Sequence, residues 1–323
     1  MSMVPAAVVA LALLALLLLA AAVEAAQVLL ARAPRTAQPR RLGPADADPA
    51  PMPLPRVVWT YWDTLPPPEI IERCLANWRR HAPGHEIRLV DRSSAARWLP
   101  AAPDAAAFGR LPPYRQADWL RLQLLKAHGG LWMDGSTLLA RDLDWVHALH
   151  DTMGRGLVGF WIARYTQEPS RPVLENWFIA APAGDAFVAA WAAELDRALA
   201  LGEAGYVAAL RAQDTLAAAA QGIPEGMREY LAMHLAAGEV LRREPDRHRM
   251  TLLRAEDVAF AFHAALRWRK RHLYARLALT PAPAHVPALL KLRGGDRAVV
   301  ERGLAHGLWM RGSLLARLLE LKR

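Results

Sequence analysis

The chain opens on an apolar run. From Met3 to Val23 there is no charged residue, and after Glu24 the apolar character resumes as far as Leu30, long enough for one bilayer-spanning helix. Residues 1–31 are therefore expected to form a transmembrane anchor. Arg32, Arg35, Arg40 and Arg41 follow it, while nothing basic precedes it. Basic flanks stay on the cytoplasmic side, which predicts a single-pass inner-membrane protein with its remaining residues in the cytoplasm. A cleaved signal peptide, suggested by the small residues at Ala25 and Ala26, competes with this reading but lacks a basic leader and a short apolar core. Residues 32–55 are rich in Pro, Ala and Asp with little periodicity, the pattern of a linker.

After the linker, short apolar runs alternate with amphipathic stretches. RVVWTYW (Arg56–Trp62) carries strand formers and no breaker, EIIERCLANWRRH (Glu69–His81) has the helical period, and HEIRLVD (His85–Asp91) is again strand-like. Strand, helix, strand in this rhythm predicts an α/β fold with a mostly parallel sheet. GLVGFWIA and NWFIAAP are later strand candidates, and DAFVAAWAAELDRAL is an amphipathic helix. Beyond about Leu199 the pattern is largely helical. The final residues, 298–323, can be drawn as one basic amphipathic helix lying at a membrane surface or docked on the domain.

The central segment, ADWLRLQLLKAHGGLWMDGSTLL (Ala117–Leu139), concentrates the candidate chemistry. Pro112 and Pro113 can start a helix, because a proline at the first helical position gives up only an amide without a partner. Leu120, Leu124 and Ala127 keep the helical period. Asp118 and Arg121 are one turn apart and can act as one polar unit. Gly129 and Gly130 can close the helix. Leu131-Trp132-Met133 then reads as a buried strand that ends at Asp134, the edge where open α/β sheets bind ligands.

Composition narrows the classes. The single cysteine, Cys74, excludes an internal disulfide and any cysteine metal cluster, and its helical context makes it a packing residue. A net charge of +9 and pI near 10.3 come with no nucleic-acid motif, so the basic surface, densest in RWRKRHLYAR (Arg267–Arg276), is expected to face an anionic membrane leaflet and not nucleic acid. A phosphatase of the haloacid-dehalogenase type is excluded, because Trp132 stands where its aspartate nucleophile is needed.

RVVWTYWD, the Ala117–Leu139 segment, NWFIAAPAGDAF and the late LLKLRGGDR together resemble the capsular polysaccharide synthesis protein family. That family is similar to the glycosyltransferases with a D-x-D sugar-binding region, including yeast-type mannosyltransferases and the glucosylating clostridial toxins. Over residues 56–297 the resemblance implies a GT-A-like domain that transfers a sugar from a nucleotide-sugar donor to a surface polysaccharide or lipid-linked glycan, with retention of the anomeric configuration. A glycosyltransferase-like scaffold without turnover is the alternative.

The resemblance also implies residue roles. Trp59 matches an aromatic position that stacks on the nucleotide base. Asp118 and Arg121 match the pair that grips the donor sugar and phosphate. Asp134 matches the first acid of D-x-D, which binds metal and the donor. Asn176 and Trp177 match a recurrent segment expected to contact donor or acceptor. The second acid is replaced by Ser136; a hydroxyl is a weaker ligand for a hard cation than a carboxylate, so a divalent cation (Mn or Mg) at Asp134 and Ser136 is expected to lean on the donor's own diphosphate. No catalytic base stands out among Asp63, Asp91 and Asp214.

Overall fold

The computed structural model describes residues 6–44, 52–100 and 105–322. Its strands are β1 (Arg40–Leu42), β2 (Val57–Tyr61), β3 (Glu86–Val90), β4 (Gly130–Met133), β5 (Thr137–Leu139), β6 (Leu157–Trp161), β7 (Leu174–Ala181), β8 (Met250–Arg254) and β9 (Leu289–Lys291). Among the described residues, seven of them form a central sheet in the order β1-β8-β6-β7-β4-β2-β3, and β5 and β9 pair separately. β2, β3, β4, β6 and β8 share one direction, with β7 and β1 reversed. The expected α/β fold with a mostly parallel sheet is present.

Strand pleating divides the core. Val58, Leu131 and Met133 enter one apolar cluster, while Val57, Trp59 and Trp132 enter another on the opposite face, because successive strand side chains point to opposite sides. Helix Glu69–His81 covers the first face, where Ile70, Ile71, Cys74, Leu75 and Trp78 are buried. Cys74 is fully enclosed there, and burial pushes its thiol up to about 12, which keeps it protonated and unreactive. Helices Pro113–His128, Ala186–Leu201 and Ala232–Arg243 cover the other face.

The chain leaves β2 for β3 through Glu69–His81, and reaches β4 through Pro113–His128 on the opposite face. β2 lies between β3 and β4, so the strand order reverses there and the carboxyl ends of β2 and β4 open onto a crevice. Pro113 occupies the first turn of its helix, and Gly129 closes it with a positive φ of 65°. Gly130 has φ of 98°; a Cβ there would lie 2.5 Å from Val57 Cγ1 and 2.7 Å from its carbonyl oxygen. Glycine is what allows β4 to start tight against β2.

The ends of the chain are more integrated than their patterns suggest. Ala7–Leu30 is a helix of 24 residues with mean hydropathy 2.7, long and apolar enough to cross a membrane. Its end docks on the domain: Glu24 pairs with Arg269 at 2.6 Å and with His272, Val28 and Ala31 join the core, and Arg276 Nε donates to the Ala31 carbonyl at 2.9 Å. The expected linker contains β1, which pairs antiparallel with β8; residues 45–51 of it lie outside the described residues. The single helix expected over 298–323 is instead two, Gly294–Ala305 and Leu314–Leu318, separated by a turn in which Gly307 and Gly312 take positive φ. Burial of Leu314, Leu315, Leu318 and Leu319 in the core breaks the tail into two segments, since a continuous rod could not follow that surface.

Because both its space and its φ are restricted, Gly130→Ala is expected to destabilise the protein by about 2 kcal/mol or more. A melting temperature equal to that of the parent chain would contradict the tight β2–β4 approach.

Candidate active site

A cavity of about 680 Å³ opens at the carboxyl ends of β2 and β4, with Asp118, Arg121, Asp134, Asn176, Trp177 and Lys291 in its wall. Asp118 and Arg121 project from the helix Pro113–His128 and are both buried. Arg121 Nη1 lies 3.1 Å from Asp118 Oδ1, and its Nη2 donates to Asp134 Oδ1 at 3.1 Å. Arg115, one turn earlier, donates to Asp118 Oδ2 at 2.8 Å, to Glu203 at 2.6 Å, and to the carbonyls of Glu229 and Tyr230. One helix face thereby joins the two acids to the segment carrying Tyr230, which also lines the cavity.

Asp134 begins where β4 ends, and its backbone amide continues the pairing to the Trp177 carbonyl at 2.9 Å. Its side chain accepts from Trp132 Nε1 at 3.0 Å and from Lys291 Nζ at 3.0 Å. Burial acts to raise this carboxyl's pKa, but Lys291 and Arg121 outweigh it and hold the group below the ordinary value of 3.8. Gly135 leaves room for the Glu69–His81 helix: a Cβ on it would come within 3.2 Å of Ile71 Cγ2. Ser136 Oγ donates to the Leu292 carbonyl at 2.8 Å and receives Lys291 Nζ at 2.8 Å.

Lys291 reaches this position through the small sheet, in which Thr137 pairs with Lys291 in register. It is a site residue that the sequence reading left without a role. The available signal was slight: one of four lysines among 40 basic residues, set in the apolar run LLKL. Arg164, Arg293 and Arg297, also in the wall, were equally unassigned. The Trp268 ring carries Arg164 at 4.6 Å and Arg293 at 5.0 Å, and Trp62 carries Arg297 at 5.0 Å.

Asn176 Nδ2 donates to Asp118 Oδ1 at 3.1 Å. Trp177 stacks on Phe160 with ring centroids 4.9 Å apart and also lines the cavity, so its role in the core does not exclude contact with a ligand. Trp59 is placed elsewhere. It is fully buried, its Nε1 donates to the Gly129 carbonyl at 3.0 Å, and Trp98 and Arg88 cover its ring at 5.4 and 4.8 Å. Trp59 lies two residues back from the end of β2, about 7 Å along the strand, too deep for base stacking. Tyr61 and Trp62, at the strand's end, face the cavity instead. Of the three acids considered as a base, Asp63 lines the cavity, Asp91 caps the turn at Ser94, and Asp214 is an exposed turn residue with φ of 57°.

The side chains by themselves do not build the expected metal site. Among the described residues no group of three or more His, Cys, Asp or Glu is placed to hold an ion. Both oxygens of Asp134 face cationic groups, and the Ser136 hydroxyl is engaged on both sides. A hard divalent cation needs several oxygen ligands and would meet the charges of Arg121 and Lys291 here.

Residues 47–196 match a family model described as capsular polysaccharide synthesis protein. That match spans the Asp118–Asp134 site. It covers Asn176 and Trp177 as well, and stops before Lys291. The O-glycosyltransferase braB of Annulohypoxylon truncatum is 29% identical over 153 residues, 42% of this chain. The aligned part spans 35% of the length of that relative. Among solved structures, the PaToxG glycosyltransferase aligns with a TM-score of 0.36 and 12% identity over 83% of this chain and 88% of that one. The UDP-bound glycosyltransferase domain of the YGT toxin aligns with a TM-score of 0.31 and 9% identity over 81% and 80%. Residues 47–196 are thus similar to the capsular polysaccharide synthesis family, while likenesses this loose transfer no residue's role.

The depressed Asp134 pKa has a consequence for stability. A carboxyl whose folded pKa lies below its unfolded value contributes fully above the unfolded value and loses that contribution as pH falls through the folded one. Unfolding measured from about pH 6 to pH 2 is therefore expected to show a steeper acid loss in the parent chain than in Asp134→Asn, with the curves converging in acid. Parallel curves would contradict the ion pairs assigned to Asp134.

Proposed function

We propose that this protein is a membrane-anchored glycosyltransferase that moves a sugar from a nucleoside-diphosphate donor to a surface polysaccharide or lipid-linked glycan precursor. The observation that carries this reading is a pair of buried donors without partners in the wall of a crevice lined by both cations and carboxylates. Arg121 Nε and Trp177 Nε1 are buried without a hydrogen-bond partner, and both residues line the same cavity. Unpartnered buried donors are rare in folded proteins and costly unless a ligand or water satisfies them. A sugar with its ring of hydroxyls, linked to a diphosphate, is the ligand that would use both the donors and the cations.

In the reaction, the bond between the anomeric carbon and the phosphate oxygen breaks, and the electron pair leaves with the nucleoside diphosphate. A bond forms from the acceptor hydroxyl oxygen to the anomeric carbon, and the hydroxyl proton passes to a base. Arg121 is suited to bind donor oxygens, because its planar fork presents several donors, while Asp118 and Asn176 can take sugar hydroxyls. Asp63 and Glu175 are the cavity carboxylates that enter no Arg or Lys ion pair among the described residues, and they are the candidate bases. Retention of configuration is the stereochemistry expected from the family resemblance.

The apolar helix and its basic flank support a single-pass anchor with the site in the cytoplasm. Docking of Glu24 and Ala31 on the domain would keep the site at a fixed position beside the membrane, which suits a lipid-linked acceptor.

Full-length protein incubated with a panel of UDP-, GDP- and dTDP-sugars is expected to release the nucleoside diphosphate from one of them. Asp118→Asn and Asp134→Asn are each expected to slow that release by about 100-fold, near 3 kcal/mol of transition-state stabilisation. Trp59→Phe is expected to leave donor affinity unchanged. If the parent chain neither cleaves nor binds any donor, the scaffold alternative takes the place of the enzyme.

A further inference from the structure

Resting on the glycosyltransferase reading, we propose that the donor's diphosphate is neutralised by side-chain cations, with Lys291 standing where a protein-held divalent metal would be expected. Lys291 Nζ bridges the first acid and the hydroxyl that replaces the second: it is 3.0 Å from Asp134 Oδ2 and 2.8 Å from Ser136 Oγ. Its side chain is 8% exposed, whereas that of Asp134 is 29% exposed, so the positive charge is held rigidly beneath a partly open carboxylate. A flexible surface lysine would lose much of its effect through solvent and motion.

The replacement of an acid by Ser136 and the presence of Lys291 fit together chemically. A carboxylate at position 136 would invite a second positive charge beside Lys291. A hydroxyl can accept the ammonium and donate to the Leu292 carbonyl at 2.8 Å, leaving the site complete without an added cation. β9 supplies the lysine and the residues that follow it supply Arg293 and Arg297 to the cavity wall, where Arg293 is also held by Asp296 at 2.7 Å and Arg297 lies 3.5 Å from Glu301. Arg164 adds a fourth basic side chain from the end of β6. Its guanidinium lies over Trp268 on the same wall. Such preorganised cations can stabilise the negative charge that builds on a departing diphosphate, as a metal ion does elsewhere.

Burial of Lys291 also bears on how the crevice holds Arg121 and Lys291 together around Asp134. The carboxylate sits between Lys291 and Arg121, which orients both cations and prevents their mutual repulsion from opening the site. A metal ion entering the same place would have to displace the lysine from Asp134.

The test is titration of full-length protein in detergent with UDP, GDP, dTDP and inorganic pyrophosphate, in EDTA and in MnCl2, followed by calorimetry. The tightest diphosphate is expected to bind in EDTA at least as well as in MnCl2. Lys291→Met should weaken it by about tenfold or more in EDTA, while Lys291→Arg keeps most of the affinity. The pair Ser136→Asp with Lys291→Met, which rebuilds two acids, should gain affinity on addition of MnCl2. Melting temperatures of the variants identify any loss caused by unfolding, and Lys291→Arg then decides the point through its retained affinity. Binding by the parent chain that strengthens about tenfold with MnCl2, or a folded Lys291→Met with unchanged affinity, overturns the cation substitution while leaving the glycosyltransferase reading intact. No binding of any diphosphate in either buffer overturns both.

Discussion

Alternating charge holds the site together. From Arg115 through Asp118, Arg121 and Asp134 to Lys291, each carboxylate lies between two cations, at separations of 2.8 to 3.1 Å. Desolvating any one of these groups alone would be costly, and the pairing is what makes the group tolerable in a largely buried place. The chain of charges also crosses elements: three members share one helix, one ends β4, and one belongs to β9, 157 residues beyond Asp134. Its geometry therefore depends on the sheet, the helix and the small β5–β9 pair being assembled together.

The sheet supplies the frame for that assembly. β2, between β3 and β4, marks where the chain changes faces, and the crevice above its carboxyl end is lined from both sides. Gly130 lets β4 begin against Val57, and that close start places Asp134 opposite Trp177. The carboxy-terminal part then completes the wall. Its segments pack against the same face as the Glu69–His81 helix, and the end of the apolar amino-terminal helix is clamped to it through Glu24, Ala31 and Arg276. Amino-terminal helix, tail and site wall thus share one apolar cluster, so a displacement of the tail would be felt at Lys291.

Much of this was legible in the sequence because it is local. The strand and helix pattern from Arg56 to Leu199, the helix start at Pro113, the glycine closure and the place of Asp134 follow from spacing within one or two turns. Asp118 and Arg121 meet because residues three apart on a helix are neighbours. The reading failed where depth or distance decided. Trp59 has the right residue type on the right strand, yet it sits two positions too far from the open end. The basic tail has an acceptable helical pattern, but the surface it covers bends, and the glycines at its turn bend with it.

By itself the sequence determined the alternating elements, the apolar amino-terminal helix and the short-range acid–base pair, since propensity and periodicity act over a few residues. Tertiary structure decided which face of the cavity each aromatic meets, and it set Lys291 beside Asp134 and Ser136. Ser136 alone could be read as a weakened metal ligand. Only the pairing of β5 with β9 brings Lys291 Nζ within hydrogen-bond distance of the Ser136 hydroxyl and of the Asp134 carboxylate, where Coulomb attraction acts between the ammonium and the carboxylate.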